Sequence, residues 1–287
     1  MKPTCLFAGR ATLDMVYVCD RFPEEDSKVM SREVVIQAGG PALNGAITFA
    51  FLGGEATLLS AVGETPSSQL IREELAERGV RLIESRRCAG VAPPISSVVL
   101  NETAGTRTIF NAPDPVCGDD WSDVDSAEKA SMVLVDGFYV AQIRGLLRTY
   151  AARGVPVCLD AGSWKATTED LLPLVSIAVC GERFRPPGTR TPADVFDFLA
   201  SRGIDRIAMT RGGESILGWD CGRSFELEIE PVKAVDTLGA GDILHGAFCW
   251  FYLAGEGFQR SLLNAARVAS ESCRYVGARE WMRFSKG

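Results

Sequence analysis

Short runs of consecutive apolar residues alternate along this chain with longer segments of helical spacing. Thr4–Ala8, Ala56–Ala61, Met132–Val135, Val155–Leu159, Ile177–Cys180 and Arg206–Met209 are brief, rich in Val, Ile and Leu, and bounded by Gly, Pro or Asp. Between them lie the helix-length segments Pro41–Leu52, Ser67–Arg78, Val140–Arg153, Ala193–Arg202, Gly241–Ala254 and Gln259–Arg274. A strand that is apolar at every position is covered on both faces, so the pattern predicts an α/β fold with a mostly parallel central sheet flanked by helices. Two stretches break the rhythm. Val16–Val18 and Lys28–Ile36 read as strands joined by Phe22-Pro23-Glu24-Glu25-Asp26, and Ile95–Leu100 with Arg107–Phe110 reads as a hairpin turning at Gly105. Two strand pairs inserted at about 15–37 and 95–111 predict one small sheet projecting as a lid. No linker divides the 287 residues and no repeat is visible, so residues 1–287 read as a single domain.

Composition narrows the chemistry. Hydrophobic residues at 46% and charged residues at 23% supply a sizeable core. A net charge of −7 argues against nucleic-acid or anionic-membrane partners, which reward clustered Lys and Arg. The single histidine, His245, leaves no His-rich metal site; inside an apolar helix it reads as a packed residue. Nine cysteines with no CxxC spacing read as reduced thiols of a cytoplasmic protein. The apolar run at the N-terminus is too short for a signal peptide, and no stretch approaches a membrane span.

The strongest local signal is Asp236-Thr237-Leu238-Gly239-Ala240-Gly241-Asp242, running straight into an apolar helix. Small residues let the backbone approach a ligand, and the helix start aims unpaired N–H groups at it, which makes an anion hole. Asp242 adds a carboxylate in the first turn, where it can accept a proton from an attacking hydroxyl. No GxxxxGK[ST] occurs, so a P-loop does not hold the phosphates.

That run, together with Gly39-Gly40-Pro41-Ala42-Leu43-Asn44 about 200 residues earlier, resembles the two signatures of the ribokinase-like (PfkB) carbohydrate kinases. The resemblance implies ATP-dependent phosphorylation of a hydroxyl on a small sugar or sugar derivative, a ketose among the candidates, with Mg²⁺ carried by the nucleotide. It implies Asp242 as base and Gly239, Ala240 and Gly241 as the anion hole. Asp14, Gly40 and Asn44 would bind sugar hydroxyls. Thr210, Gly212, Gly213 and Cys273 would face the nucleotide, with Ser215 in place of a common glycine. Within the family the lid segments are most similar to ketohexokinase. That similarity implies Arg107 facing the phosphates, Asp26 reaching a partner's sugar site, and a homodimer formed through the lid. The family's Asn-x-x-Glu is missing its Asn here, which leaves Glu182 as the expected Mg²⁺-linked carboxylate; Asp236 is expected beside a monovalent cation such as K⁺. Pro41 stands where ketohexokinase has a sugar-touching Asn, which separates this chain from fructose. Two alternatives remain open at this point: a nucleoside kinase of the same fold, and a non-catalytic sugar- or nucleotide-binding regulator.

Overall fold

The structure is a computed structural model that describes residues 2–115, 117–118, 121 and 130–284. The chain runs β1 (Thr4–Ala8), β2 (Thr12–Cys19), β3 (Glu33–Gly39), α1 (Pro41–Phe51), β4 (Glu55–Leu59), α2 (Pro66–Glu77) and β5 (Arg81–Ile83). There follow β6 (Ile95–Asn101), β7 (Thr106–Asn111), β8 (Met132–Val135), α3 (Val140–Ala152), β9 (Val157–Ala161), β10 (Ile177–Gly181) and α4 (Pro192–Ala200). Last come β11 (Arg206–Arg211), β12 (Glu214–Asp220), β13 (Arg223–Leu227), α5 (Ala240–Leu253), α6 (Phe258–Ser272) and the short α7 (Trp281–Phe284).

The main sheet has the order β13-β12-β11-β10-β9-β8-β1-β4-β5. It is parallel from β11 to β5 and closes with an antiparallel hairpin at the β13 edge. Successive residues of β1 feed opposite sides, as the two-sided burial predicts. Cys5 and Phe7 pack into the core under α1, α5 and α6, while Leu6 and Ala8 pack into the core under α3 and α4. The sequence pattern placed the parallel strands within two residues but missed β5 and the β12–β13 hairpin.

The second sheet, β3-β2-β6-β7, joins the two insertions through a parallel β2–β6 pairing, so the projecting sheet expected from the sequence is present. Its first pair is wider than expected. β2 begins at Thr12 and β3 runs to Gly39, whereas residues 28–32 are not strand. The polar Thr12 and Asp14 break the apolar run because they face a cavity, and that hid the start of β2. Register sorts the residues by face. One row reads Gln37–Asp14–Ser96–Asn111 and another Glu33–Val18–Leu100–Arg107, both on the side packed over Leu238 and Val276. The opposite side carries Val34, Ile36 and Phe110, at 46%, 52% and 58% exposure.

Candidate active site

The parallel strands end on one side of the main sheet, and the chain segments leaving β1, β8 and β9 there meet the lid and the start of α5. Ligand clefts of open α/β sheets occupy this position. A cavity of about 280 Å³ at this place is lined by Asp14, Gly40, Asn44, Gly239 and Asp242, five of the residues expected from the sequence. Arg10, Asp136, Asp160 and Lys165 also line it and were not expected. A second cavity of about 260 Å³ takes Thr210, Gly212, Gly213, Ala240, Gly241 and Cys273. The first turn of α5 is the wall between the two.

That turn is shaped by its glycines. Gly239 caps α5 at φ 72 with no side-chain cap, a left-handed conformation that L side chains rarely adopt. The Ala240 N–H, expected in the anion hole, instead donates to the Thr237 carbonyl at 3.3 Å, which leaves the Gly241 and Asp242 N–H groups available to an anion, reinforced by the helix dipole at ~0.3–1 kcal/mol per charge. The glycine pair ahead of α1 is equally constrained. A Cβ at Gly39 would lie 2.0 Å from the Asp14 carboxylate, and one at Gly40, where φ is 98, would lie 2.4 Å from the Arg10 carbonyl.

Asp242 is half-buried and held by its neighbours. The Asn44 Nδ2 donates to Asp242 Oδ2 at 2.7 Å, while Asn44 Oδ1 accepts from Arg279 at 2.8 Å. Arg279 in turn pairs with Glu74 at 2.7 Å and donates to the Ala38 carbonyl. Asn44 thus orients the Asp242 carboxylate as well as lining the cavity, with one Nδ2 hydrogen left over for a ligand. Burial, then the nearby charge of Asp160, pushes the Asp242 carboxyl up to about 7; the Asn44 hydrogen bond and His245 pull the other way. His245 is buried one turn along α5. Its Nδ1 lies 2.7 Å from the Gly241 carbonyl and its Nε2 3.0 Å from the Val179 carbonyl, with Asp160 Oδ2 at 3.4 Å.

Other carboxylates fasten loops. Asp136 accepts the backbone N–H groups of Arg10, Ala42 and Phe138, tying the ends of β1 and β8 to the start of α1. Asp14, on β2 rather than in the loop after β1, accepts from Thr12 at 2.6 Å; burial raises its pKa above the usual carboxylate value. Asp236 accepts from Leu238 N–H and Gly277 N–H at 2.9 and 2.8 Å, which ties the signature turn to the segment after α6. Among the described residues no cluster of three or more His, Cys, Asp or Glu is arranged to hold a metal ion.

Four expected residues lie outside both cavities, Asp236 among them. Arg107 extends from β7 and donates to Thr237 Oγ1, reaching the signature turn from the lid. Asp26 is exposed on its turn with φ 56 and lines neither cavity. Glu182, in the turn after β10, is likewise exposed and lines neither cavity. None of the nine cysteines forms a disulfide. Cys273 has its thiol raised by burial and lends its carbonyl to Val235 and Asp236 N–H, bracing the nucleotide-side loop.

With this geometry in place, the comparisons are specific. The model of the family described as pfkB family carbohydrate kinase matches residues 2–283. Ketohexokinase of Mus musculus is 25% identical over 289 residues, spanning 95% of this chain and 96% of its own. An ATP-dependent ribose-1-phosphate kinase of Halopiger xanaduensis is 24% identical over 280 residues, spanning 96% and 93%. The ribokinase of Arabidopsis thaliana, solved in complex with ribose and ATP, shares the fold with a TM-score of 0.78 at 21% identity, over 99% of this chain and 100% of that one.

Proposed function

The chain belongs to the PfkB family of carbohydrate kinases and is an ATP-dependent sugar kinase, and from that premise we propose how its residues divide the reaction. The carrying observation is the position of the α5 N-terminus between a polar cavity and a largely apolar one. The sugar occupies the polar cavity, where Asp14, Ser96, Asn111 and the Gly40 backbone offer paired donors and acceptors to hydroxyls. The base of ATP occupies the other cavity against Leu244, Ala269 and Cys273, with its phosphates crossing Thr210, Gly212 and Gly213 toward Gly241. At both of these loop glycines a Cβ would meet nothing within 4 Å, so there is room for a ligand to lie against the backbone.

Asp242 accepts the proton of the attacking hydroxyl as that oxygen approaches the γ-phosphorus in line. The N–H groups of Gly241 and Asp242 take the charge on the transferring oxygens. Arg107 adds its guanidinium from the lid as the cavity closes. Glu182, exposed in the turn after β10, would hold a water of the Mg²⁺ brought by the nucleotide, an ion that would neutralise the phosphates. A monovalent cation, K⁺ in this reading, belongs at the turn braced by Asp236 and Gly277.

Three further parts of the reading concern the whole chain. Residues 1–287 act as one kinase domain with the lid inserted at about 15–37 and 95–111. Two copies pair through the lid, supported by the exposed Val34, Ile36 and Phe110 on its outer side; Asp26, without a role in its own site, contacts the partner's sugar. The enzyme works in the cytoplasm, in keeping with nine cysteines that form no disulfide; among the described residues no helix is long and apolar enough to cross a membrane.

The test is an ADP-release screen over ketoses, aldoses, sugar acids, sugar phosphates and nucleosides, with the product identified by phosphorus NMR. A phosphorylated sugar is expected. Turnover confined to nucleosides would make the chain a nucleoside kinase, and sugar or ATP binding without turnover would make it a regulator.

A further inference from the structure

The polar cavity holds two cations in unlike circumstances. Arg10 forms an ion pair with Asp114 at 2.6 Å and donates to the Ala112 carbonyl, so its charge is already matched. Lys165 has no carboxylate within ion-pair distance among the described residues. Its ammonium lies 4.3 Å from the centre of the Phe138 ring and donates to the Asp136 carbonyl at 3.1 Å. An ammonium has three donors, so two remain for whatever fills the cavity. The carboxylates around it are not free to serve. Asp136 is taken by three backbone N–H groups, Asp14 by Thr12, Asp242 by Asn44, and Asp160 lies beside His245.

A neutral sugar filling this cavity would strip water from Lys165 and leave it the Phe138 ring, the Asp136 carbonyl and the more distant Asp136 charge but no direct ion pair, which is costly. An anionic group supplies the missing partner. We propose that the acceptor sugar carries an anionic substituent, a carboxylate, phosphate or sulfonate, that is bound by Lys165 while a different carbon presents its hydroxyl to Asp242. Hydroxyl recognition stays with Asp14, Ser96 and Asn111. This inference rests on the kinase reading for the place of the hydroxyl, but the anion site itself can be read by binding alone.

The experiment compares matched pairs: D-glucose with D-gluconate, D-ribose with ribose 1-phosphate and ribose 5-phosphate, and D-fructose with its 6-deoxy-6-sulfo analogue. Each is measured by calorimetry and by ADP release, on the parent, Lys165→Met and Lys165→Arg. The backbone of Lys165 is held independently of its side chain, through Thr168, and circular dichroism with ATP affinity verifies that each variant folds. At least one charged member should bind and turn over about 10-fold or more better than its neutral partner, the scale of a charge-assisted hydrogen bond. Lys165→Met should abolish that preference and Lys165→Arg should keep most of it. The member preferred within the charged set tells carboxylate from phosphate from sulfonate. Neutral sugars favoured throughout, no binding of either class, or an equal loss for both members in Lys165→Met would each overturn the proposal. Lys165-dependent binding of charged sugars without ADP release would sustain it and overturn the kinase reading instead.

Discussion

The two cavities that share the first turn of α5 are close in size, about 280 and 260 Å³, and are made of opposite materials. The cavity proposed for the sugar gathers Arg10, Asp14, Asp136, Asp160, Lys165 and Asp242 from separate parts of the chain and holds Arg10, Asp136 and Lys165 by side-chain bonds to backbone. The cavity proposed for the nucleotide is walled by Ile229, Pro231, Val232, Leu244, Ala266 and Ala269, alongside Thr210, Glu230, Thr237 and Ser270. Directional hydroxyls need fixed donors and acceptors, whereas a flat base needs shape and dryness. The difference predicts that substitutions on one side change the constants of one substrate, and that only the shared turn affects both.

Asp242→Asn tests the shared turn and should give the largest effect. The rate constant kcat should fall ~10²–10⁴-fold, the usual contribution of a general base. Stability should move the other way. Because burial raises the carboxyl to about 7, the folded state is penalised as pH rises above the ordinary carboxylate range, and the amide removes that penalty. The melting temperature of Asp242→Asn at pH 8 should therefore equal or exceed the parent's; turnover within a few-fold of the parent would remove Asp242 from the mechanism.

The pH profile sharpens the contrast at intermediate size. A base acts deprotonated, so kcat/KM for the sugar should fall as pH drops through about 7, while the KM for ATP stays flat. His245 lowers the Asp242 pKa, against Asp160, which raises it. His245→Asn should therefore move the acid limb to higher pH, with activity recovered at pH 8.5. An unmoved limb would separate His245 from the base.

The smallest effect belongs to Cys273→Leu. Added volume on the apolar side should raise the KM for ATP by about 5-fold or more and leave the KM for sugar unchanged, since overpacking a filled pocket costs roughly 1–3 kcal/mol. A parallel rise in both constants would show that the two cavities are not independent.

Much of this was legible in the sequence, for uneven reasons. The parallel strands announce themselves because both faces are buried and every position is apolar. β12 and β13 form the half-exposed hairpin that ends the sheet, with no apolar run to mark them. The signature turn was legible because its parts are contiguous, so a single short stretch carries the helix start, the glycines and the acid. Asp160, Lys165, Arg279 and Glu74 reach the site singly from distant segments, and spacing says nothing about them. Asp160 did leave a trace: it is a lone carboxylate within the otherwise apolar β9, and a buried charge inside a strand needs a partner. Asn44 was legible as a cavity residue but not as the holder of Asp242, because that contact spans 198 positions.

The bonds that steady Asp242 join distant segments: Glu74 to Arg279 spans 205 positions and Asn44 to Arg279 spans 235. Arg279 is therefore made after both glycine signatures, the lid and the main sheet, and until it docks, the amide that holds Asp242 has a free carbonyl and no fixed rotamer. A chain cut just before residue 279 keeps those parts, yet its Asp242 is unaimed. In biosynthesis the walls of the cavity thus precede the residue that fixes its acid.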